Sequence, residues 1–238
     1  MKTIKIAHLY PRQMNIYGDW GNIVALQKRL EWRGYKSDYR TVLPGEPYDF
    51  SDADIVFGGG GQDKGQLDIA KDLVRNRENI VSASRDGVVF LLVCGLYQLF
   101  GNRFITSKEE EIEGLGVFNA ETTGSSERLI GNVVVQGSGF ELVGFENHSG
   151  KTRLSPGQSA LGRVMKGYGN NGQDGFEGAV TDNTFGTYLH GSLLPKNPVF
   201  ADMLLERALE RKFGSSDLVD IDDSIAFKAA EVAKERPQ

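Results

Sequence analysis

The chain contains one cysteine and three histidines, and the cysteine closes an apolar run just before a glycine in VVFLLVCGLYQLFG, residues 88–101. A strand that ends in Cys-Gly and runs at once into a helix places the sulfur of Cys94 in a tight turn, where backbone N–H groups favour negative charge. This is the layout of a nucleophile elbow. Glycine permits the sharp bend, and the N–H of Gly95 can point at an oxyanion formed when sulfur attacks a carbonyl. The plainer alternative is an inert thiol that fills space at a strand end.

A cysteine nucleophile needs a base, so each histidine is weighed by its surroundings. His8 lies in an apolar strand and reads as structural. His148 follows Glu146 and Asn147 in FENHSG and suits either a hydrogen-bonded turn or a site. His190, in GTYLHGSLLP, ends a predicted strand and precedes a glycine, where open α/β sheets present reactive groups at their carboxyl edge. The pattern favours His190 as the base.

A third element is GGGG at 58–61, directly after DIVF. The Lys-Ser/Thr of a phosphate loop is absent and the spacing is not that of a dinucleotide fingerprint. These glycines read either as a tight strand-to-helix turn or as a place where a backbone N–H, from Gly60 or a neighbour, furnishes a second oxyanion donor beside Gly95.

The elements that must position these groups follow from periodicity. TIKIAHL (3–9) reads as a first strand, NIVALQKRLEWRG (22–34) as an amphipathic helix with a glycine stop, SDYRTVL (37–43) and DADIVF (52–57) as strands, 63–80 as a polar helical stretch, and GVVFLLVC (87–94) as a buried strand. Apolar runs without polar alternation suit strands covered on both faces, so the fold class is α/β with an open, mostly parallel sheet flanked by helices. After residue 100, glycine-punctuated stretches such as RLIGNVVVQ (128–136) and LVGFENH (142–148) predict short antiparallel strands added to that sheet. FGTYLH (185–190) reads as a further strand and NPVFADMLLERALERKFG (197–214) as a strong amphipathic helix, begun by Asn-Pro and ended by Gly. Residues 1–214 form one domain in this reading. Residues 215–238 form a charged tail with a short helix that packs on its own domain or docks on a partner.

Composition narrows the function classes. One cysteine excludes a disulfide framework and any metal site built from several thiolates. A net charge of -5 supplies no general positive field for nucleic acid or anionic lipid. No run of about eighteen apolar residues and no signal-peptide pattern is visible, which reads as a cytoplasmic protein without membrane insertion.

Together, GGGG after a strand, CGLYQLFG after a later strand and GTYLHG before the last large helix resemble a class I glutamine amidotransferase of the cobyric acid synthase-like branch. NIYGDWGNIVALQ (15–27), GFENHSGKT (144–152), GYGNN (167–171) and GTYLHGSLLPKN (186–197) look most like glutaminase subunits of lipid II isoglutaminyl synthases. The resemblance implies hydrolysis of L-glutamine to glutamate and ammonia, and delivery of the ammonia to a MurT-type, Mur ligase-like partner that amidates the D-glutamate of lipid II. It implies no metal or cofactor on this chain, with ATP and Mg on the partner. It also implies that Cys94 attacks the amide, that His190 moves the proton, and that Gln98 and Arg128 recognise glutamine. Many relatives place a carboxylate two residues after the histidine, whereas His190-Gly191-Ser192 has none. The orienting acid is then expected from Glu146, from a more distant residue or from the partner. Glutaminase for corrinoid amidation, another amidase or peptidase on the same fold, and a non-catalytic scaffold are the competing readings.

Overall fold

The computed structural model describes residues 1–236. Its first half alternates strand and helix: β1 (Thr3–Leu9), α1 (Trp20–Trp32), β2 (Lys36–Val42), β3 (Ile55–Gly58), α2 (Asp63–Arg75), α3 (Arg77–Arg85), β4 (Val89–Val93) and the short α4 (Gly95–Leu99). The helical stretch expected over 63–80 is thus two helices broken at Asn76. A second group of strands follows: β5 (Arg103–Ile105), β6 (Glu111–Glu113), β7 (Ala120–Gly137), β8 (Glu141–Leu154), β9 (Gly162–Lys166) and β10 (Phe176–Glu177). The chain then returns through β11 (Ala179–Thr181) and β12 (Thr184–Thr187) and ends in α5 (Pro198–Phe213) and α6 (Ser224–Glu235).

The first sheet has the order β11-β12-β4-β3-β1-β2 and is parallel except for β11. Every residue of β3, β4 and β12 is buried. That is why their sequences show apolar runs in place of alternation. Gly58 pairs with Leu9 and with Leu92, and Val93 pairs with Thr187. The carboxyl ends of four adjacent strands therefore lie side by side, and the loops that leave them converge on one edge. Strand order reverses between β1 and β3, which is where open α/β sheets form a binding crevice.

The second sheet, β10-β9-β7-β5-β6 with β8 paired to β7, is larger than the short antiparallel strands expected. β7 and β8 are 18 and 14 residues long. The glycines that read as turns lie instead within one continuous ribbon, whose register shifts at a bulge between Gly124 and Leu129. This ribbon meets the first sheet near its carboxyl edge, where Phe145 of β8 bridges to His190.

The tail is tied down at its base. The buried Arg29 of α1 forks between Asp202 of α5 and Asp223 before α6, each at 2.6 Å, and Arg33 reaches Asp202 and the carbonyl of Val219. Bidentate guanidinium–carboxylate geometry makes these strong links. α6 then packs against β7 and β8. Among the described residues no helix is long and apolar enough to cross a membrane.

Candidate active site

Cys94 sits between β4 and α4 with φ 50° and ψ −103°, a backbone conformation that side-chain-bearing residues rarely adopt. Its N–H donates to Thr187 O at 2.8 Å, so β12 holds the strained turn in place. Such strain persists only where surrounding structure enforces it, and it aims the side chain outward from the sheet edge. The residue is 7% exposed and borders a cavity of about 550 Å³.

The strand that carries His190 ends at Thr187, three residues earlier than the sequence pattern suggests. Beyond it the backbone of His190 is fixed by Phe145, whose carbonyl accepts its N–H at 2.6 Å. The imidazole is fully buried. Gly60 shows how tightly the groups are gathered. A Cβ built there would lie 2.7 Å from His190 Cε1 and 3.2 Å from Cys94 Cβ, so only glycine allows cysteine and histidine to meet across it.

The carboxylate that faces the His190 ring is Asp19, from the loop between β1 and α1. Its buried Oδ1 lies 3.5 Å from His190 Nδ1, and its Oδ2 accepts the N–H of Gly60 at 2.7 Å. Glu146 does not fill this place. Its carboxylate accepts the N–H groups of Tyr168 and Gly169 at 2.7 and 2.9 Å and faces His148 at 3.7 Å. The position after His-Gly, where a carboxylate was missing, holds Ser192. Its hydroxyl donates to Gly18 O at 2.7 Å, and Asn22 Oδ1 accepts the N–H of Leu194 at 2.9 Å. These two bonds lace the histidine loop to the aspartate loop, so the carboxylate facing the ring comes from a distant segment of the sequence.

Neither ring nitrogen of His190 closes a hydrogen bond of ordinary geometry among the described residues. Catalytic contacts of this kind are commonly long without substrate and tighten when it binds. Burial, the largest single influence on the ring, disfavours its charge. The interactions with Cys94 and with the Asp19 carboxylate outweigh burial and raise His190 to about 10. The protonated ring is thus the favoured form near neutral pH.

Gly60 needs a correction as an oxyanion donor, because its N–H already serves Asp19. The neighbouring Gly61 borders the cavity beside Cys94, and its nitrogen lies 3.1 Å from where a Gly95 Cβ would stand. Leu96 packs beneath the elbow, fully buried against Gly58.

The cavity also gathers Gln98 and Arg128, together with Tyr17, Gln66 and His148. Gln98 is 5% exposed and sits one helical turn after the sulfur. Arg128, on β7, is oriented by Asn147, which accepts from Nε at 2.8 Å and from Nη2 at 2.6 Å. Tyr17 packs edge-on against His190 with ring centroids 4.9 Å apart. His8 stands away from this group in an aromatic nest of Trp20, Tyr39 and Phe57, and burial lowers it to about 4, in keeping with a structural role. Sequence reasoning missed Asp19 and Gln66. The signal for Asp19 was its place in NIYGDWGN, a stretch already singled out for its family likeness.

A family model for the CobB/CobQ-like glutamine amidotransferase domain matches residues 5–198. The chain is 39% identical over 237 residues to the lipid II isoglutaminyl synthase (glutamine-hydrolyzing) subunit GatD of Staphylococcus aureus, covering 99% of this chain and 97% of that protein. It is 35% identical over 172 residues to a probable cobyric acid synthase of Methanothermobacter thermautotrophicus, covering 64% of this chain and 32% of that protein. The crystal structure of a glutamine amidotransferase from Thermotoga maritima superposes with a TM-score of 0.53 at 16% identity, over 97% of this chain and 93% of that one, and so shares the fold. By family match and by near full-length identity, the chain is a member of the CobB/CobQ-like glutamine amidotransferases.

Proposed function

We propose that the chain is the glutaminase subunit of a lipid II isoglutaminyl synthase, hydrolysing L-glutamine and passing ammonia to a MurT-type synthetase that amidates the D-glutamate of lipid II. The observation that carries the glutaminase reading is the strained elbow of Cys94 at a cavity, with His190 behind it and Asp19 behind His190. Likeness to GatD along almost the whole of both chains supports the cell-wall acceptor, whereas likeness to a cobyric acid synthase spans about a third of that larger protein.

In this mechanism Cys94 attacks the side-chain amide carbon of glutamine, and the oxyanion settles between the N–H groups of Gly95 and Gly61. Each such donor is worth about 3 kcal/mol in acyl transfer. His190 carries the proton and gives it to the departing ammonia, leaving a thioester. Water, deprotonated by the same imidazole, resolves the thioester to glutamate. Asp19 holds the ring and stabilises its charge through each transfer. Arg128 pairs its planar fork with the α-carboxylate of glutamine, and Gln98 contacts the substrate from the helix. No cofactor enters these steps. ATP and Mg act on the synthetase, because hydrolysis of glutamine does not by itself activate a carboxylate.

The test is co-expression with the synthetase followed by amidation of lipid II with glutamine and ATP. Isoglutaminyl product that disappears in Cys94→Ala supports the reading. No amidation of lipid II alongside amidation of a corrinoid carboxylate would move the chain to the corrinoid branch.

A further inference from the structure

Five buried polar side chains, each at most 5% exposed, run from the elbow into the second sheet: Gln66, Gln98, Tyr188, Thr152 and Thr122. Gln66 Nε2 lies 2.7 Å from Gln98 Oε1, Gln98 Nε2 lies 3.0 Å from Tyr188 OH, and Tyr188 OH lies 2.6 Å from Thr152 Oγ1. Thr152 Oγ1 is in turn 2.7 Å from Thr122 Oγ1.

The first link gives the chain its direction. Gln66 also reaches Gly95 O at 3.2 Å. A carbonyl oxygen only accepts, so the Gln66 atom at this junction is the amide nitrogen. Gln98 must then turn its oxygen to Gln66 and its nitrogen to Tyr188. The phenol accepts from Gln98, which leaves its own proton for Thr152. Gly150 clamps the same amide, since a Cβ there would lie 2.2 Å from Gln98 Nε2, and the ring of His148 stacks on Tyr188 with centroids 3.6 Å apart. Gln98 borders the cavity, and one of its two N–H bonds is taken by Tyr188. The second N–H is the one that can serve a ligand in the cavity.

We propose that Tyr188 and Thr152 are positioning residues for the glutamine pocket, holding the Gln98 carboxamide so that it presents an N–H, not a C=O, and thereby selects a substrate oxygen. The inference rests on the glutaminase reading of Cys94. Removing the Thr152 hydroxyl takes away the phenol's 2.6 Å partner, so the phenolic proton is free to turn toward Gln98 and favour a flipped amide. A flipped amide would set two nitrogens against each other at Gln66. Loss of one hydroxyl is therefore felt at the cavity, several bonds away.

The experiment is steady-state glutamine hydrolysis by the full chain with its synthetase, comparing wild type with Tyr188→Phe, Thr152→Val and Thr152→Ser. KM for glutamine is expected to rise about tenfold in Tyr188→Phe and Thr152→Val with kcat within about threefold, the pattern of lost ground-state binding. Thr152→Ser, which keeps the hydroxyl, is expected to retain the wild-type KM. A melting temperature that falls while KM stays unchanged would overturn the inference, as would a fall in kcat at constant KM. If wild type hydrolyses no glutamine and Cys94 resists a diazoketone analogue of glutamine, the parent reading fails and takes this inference with it. If wild type is active and labelled but the variants match it, only this inference fails.

Discussion

Two buried histidines each face a buried carboxylate, and only one pair lies beside the sulfur. His190 stands 3.5 Å from Asp19, and His148 stands 3.7 Å from Glu146. Their surroundings separate them. His148 Nδ1 lies 2.7 Å from the carbonyl of Gly150, its ring is stacked on Tyr188, and Glu146 is occupied by two backbone N–H groups of the 168–169 turn. That pair is held by one ring nitrogen, by the stacked phenol and by the 168–169 turn, while His148 Nε2 closes no hydrogen bond among the described residues. His190 has neither ring nitrogen so held, and the carboxylate facing it carries one backbone N–H, that of Gly60. A histidine that moves protons must keep its nitrogens available and close to the nucleophile, whereas one that supports a wall can be fixed through one of them.

The largest effect that can break this comparison comes from the histidines themselves. His190→Gln is expected to lower kcat for glutamine hydrolysis by about 10³-fold, within the span of lost acid–base catalysis. His148→Gln should keep kcat within about tenfold and show its cost as a melting temperature several degrees lower. Parallel kinetics and thermal melts of the two variants decide it, and equal losses of kcat would erase the distinction.

The carboxylates sharpen the contrast. Asp19→Asn is expected to lower kcat by about 10²-fold at nearly constant KM, because the ring loses both its orienting contact and the charge that favours its protonated form. Glu146→Gln retains an acceptor oxygen for the 168–169 turn and should leave kcat within about threefold.

At the substrate end, Arg128→Lys exchanges a planar fork held by Asn147 for a point charge. KM for glutamine should rise by about tenfold with kcat little changed, and a KM equal to wild type would remove Arg128 from the binding site.

A smaller effect concerns Glu177, fully buried beside the end of β12, which accepts the N–H of Tyr188 at 2.6 Å and the hydroxyl of Thr187. Burial, partly offset by those bonds, raises its carboxyl to about 8. The folded state therefore binds a proton more tightly than the unfolded state. The associated stability is complete below the ordinary glutamate value near 4.5 and is lost as pH climbs through about 8. Glu177→Gln keeps an acceptor without titrating, so its melting temperature relative to wild type should increase by a few degrees between pH 5 and pH 8.5. Melting curves across that range check the sign.

How much of this was visible beforehand depended on how local the signal was. The helical spacing of 22–34 and the apolar runs at 55–57 and 88–93 report the first sheet directly, because burial on two faces leaves a contiguous mark. Cys94 and His190 were legible because so few residues of their types exist and both lie where strands end. Asp19 was hidden, since a carboxylate in a loop carries no periodicity and meets His190 only through the Ser192–Gly18 and Leu194–Asn22 bonds. Gly60 was legible as a close approach, but its N–H could not be assigned without the position of Asp19. The length of β7 and β8 was obscured by internal glycines that read as turns and prove to be points of contact within a bulged ribbon. Gly150, for instance, lies against Gln98.

The central claim is that the Cys94 sulfur is a nucleophile served by His190 and Asp19, and the most direct measurement is mass spectrometry after treatment with a diazoketone analogue of glutamine. The account predicts one adduct, on the peptide that contains Cys94, which glutamine competes away, which is absent in Cys94→Ala and which forms more slowly in His190→Gln and Asp19→Asn. A folded protein with its synthetase that takes up no label, or that labels Cys94 at the same rate in all three backgrounds that keep the thiol, would contradict it.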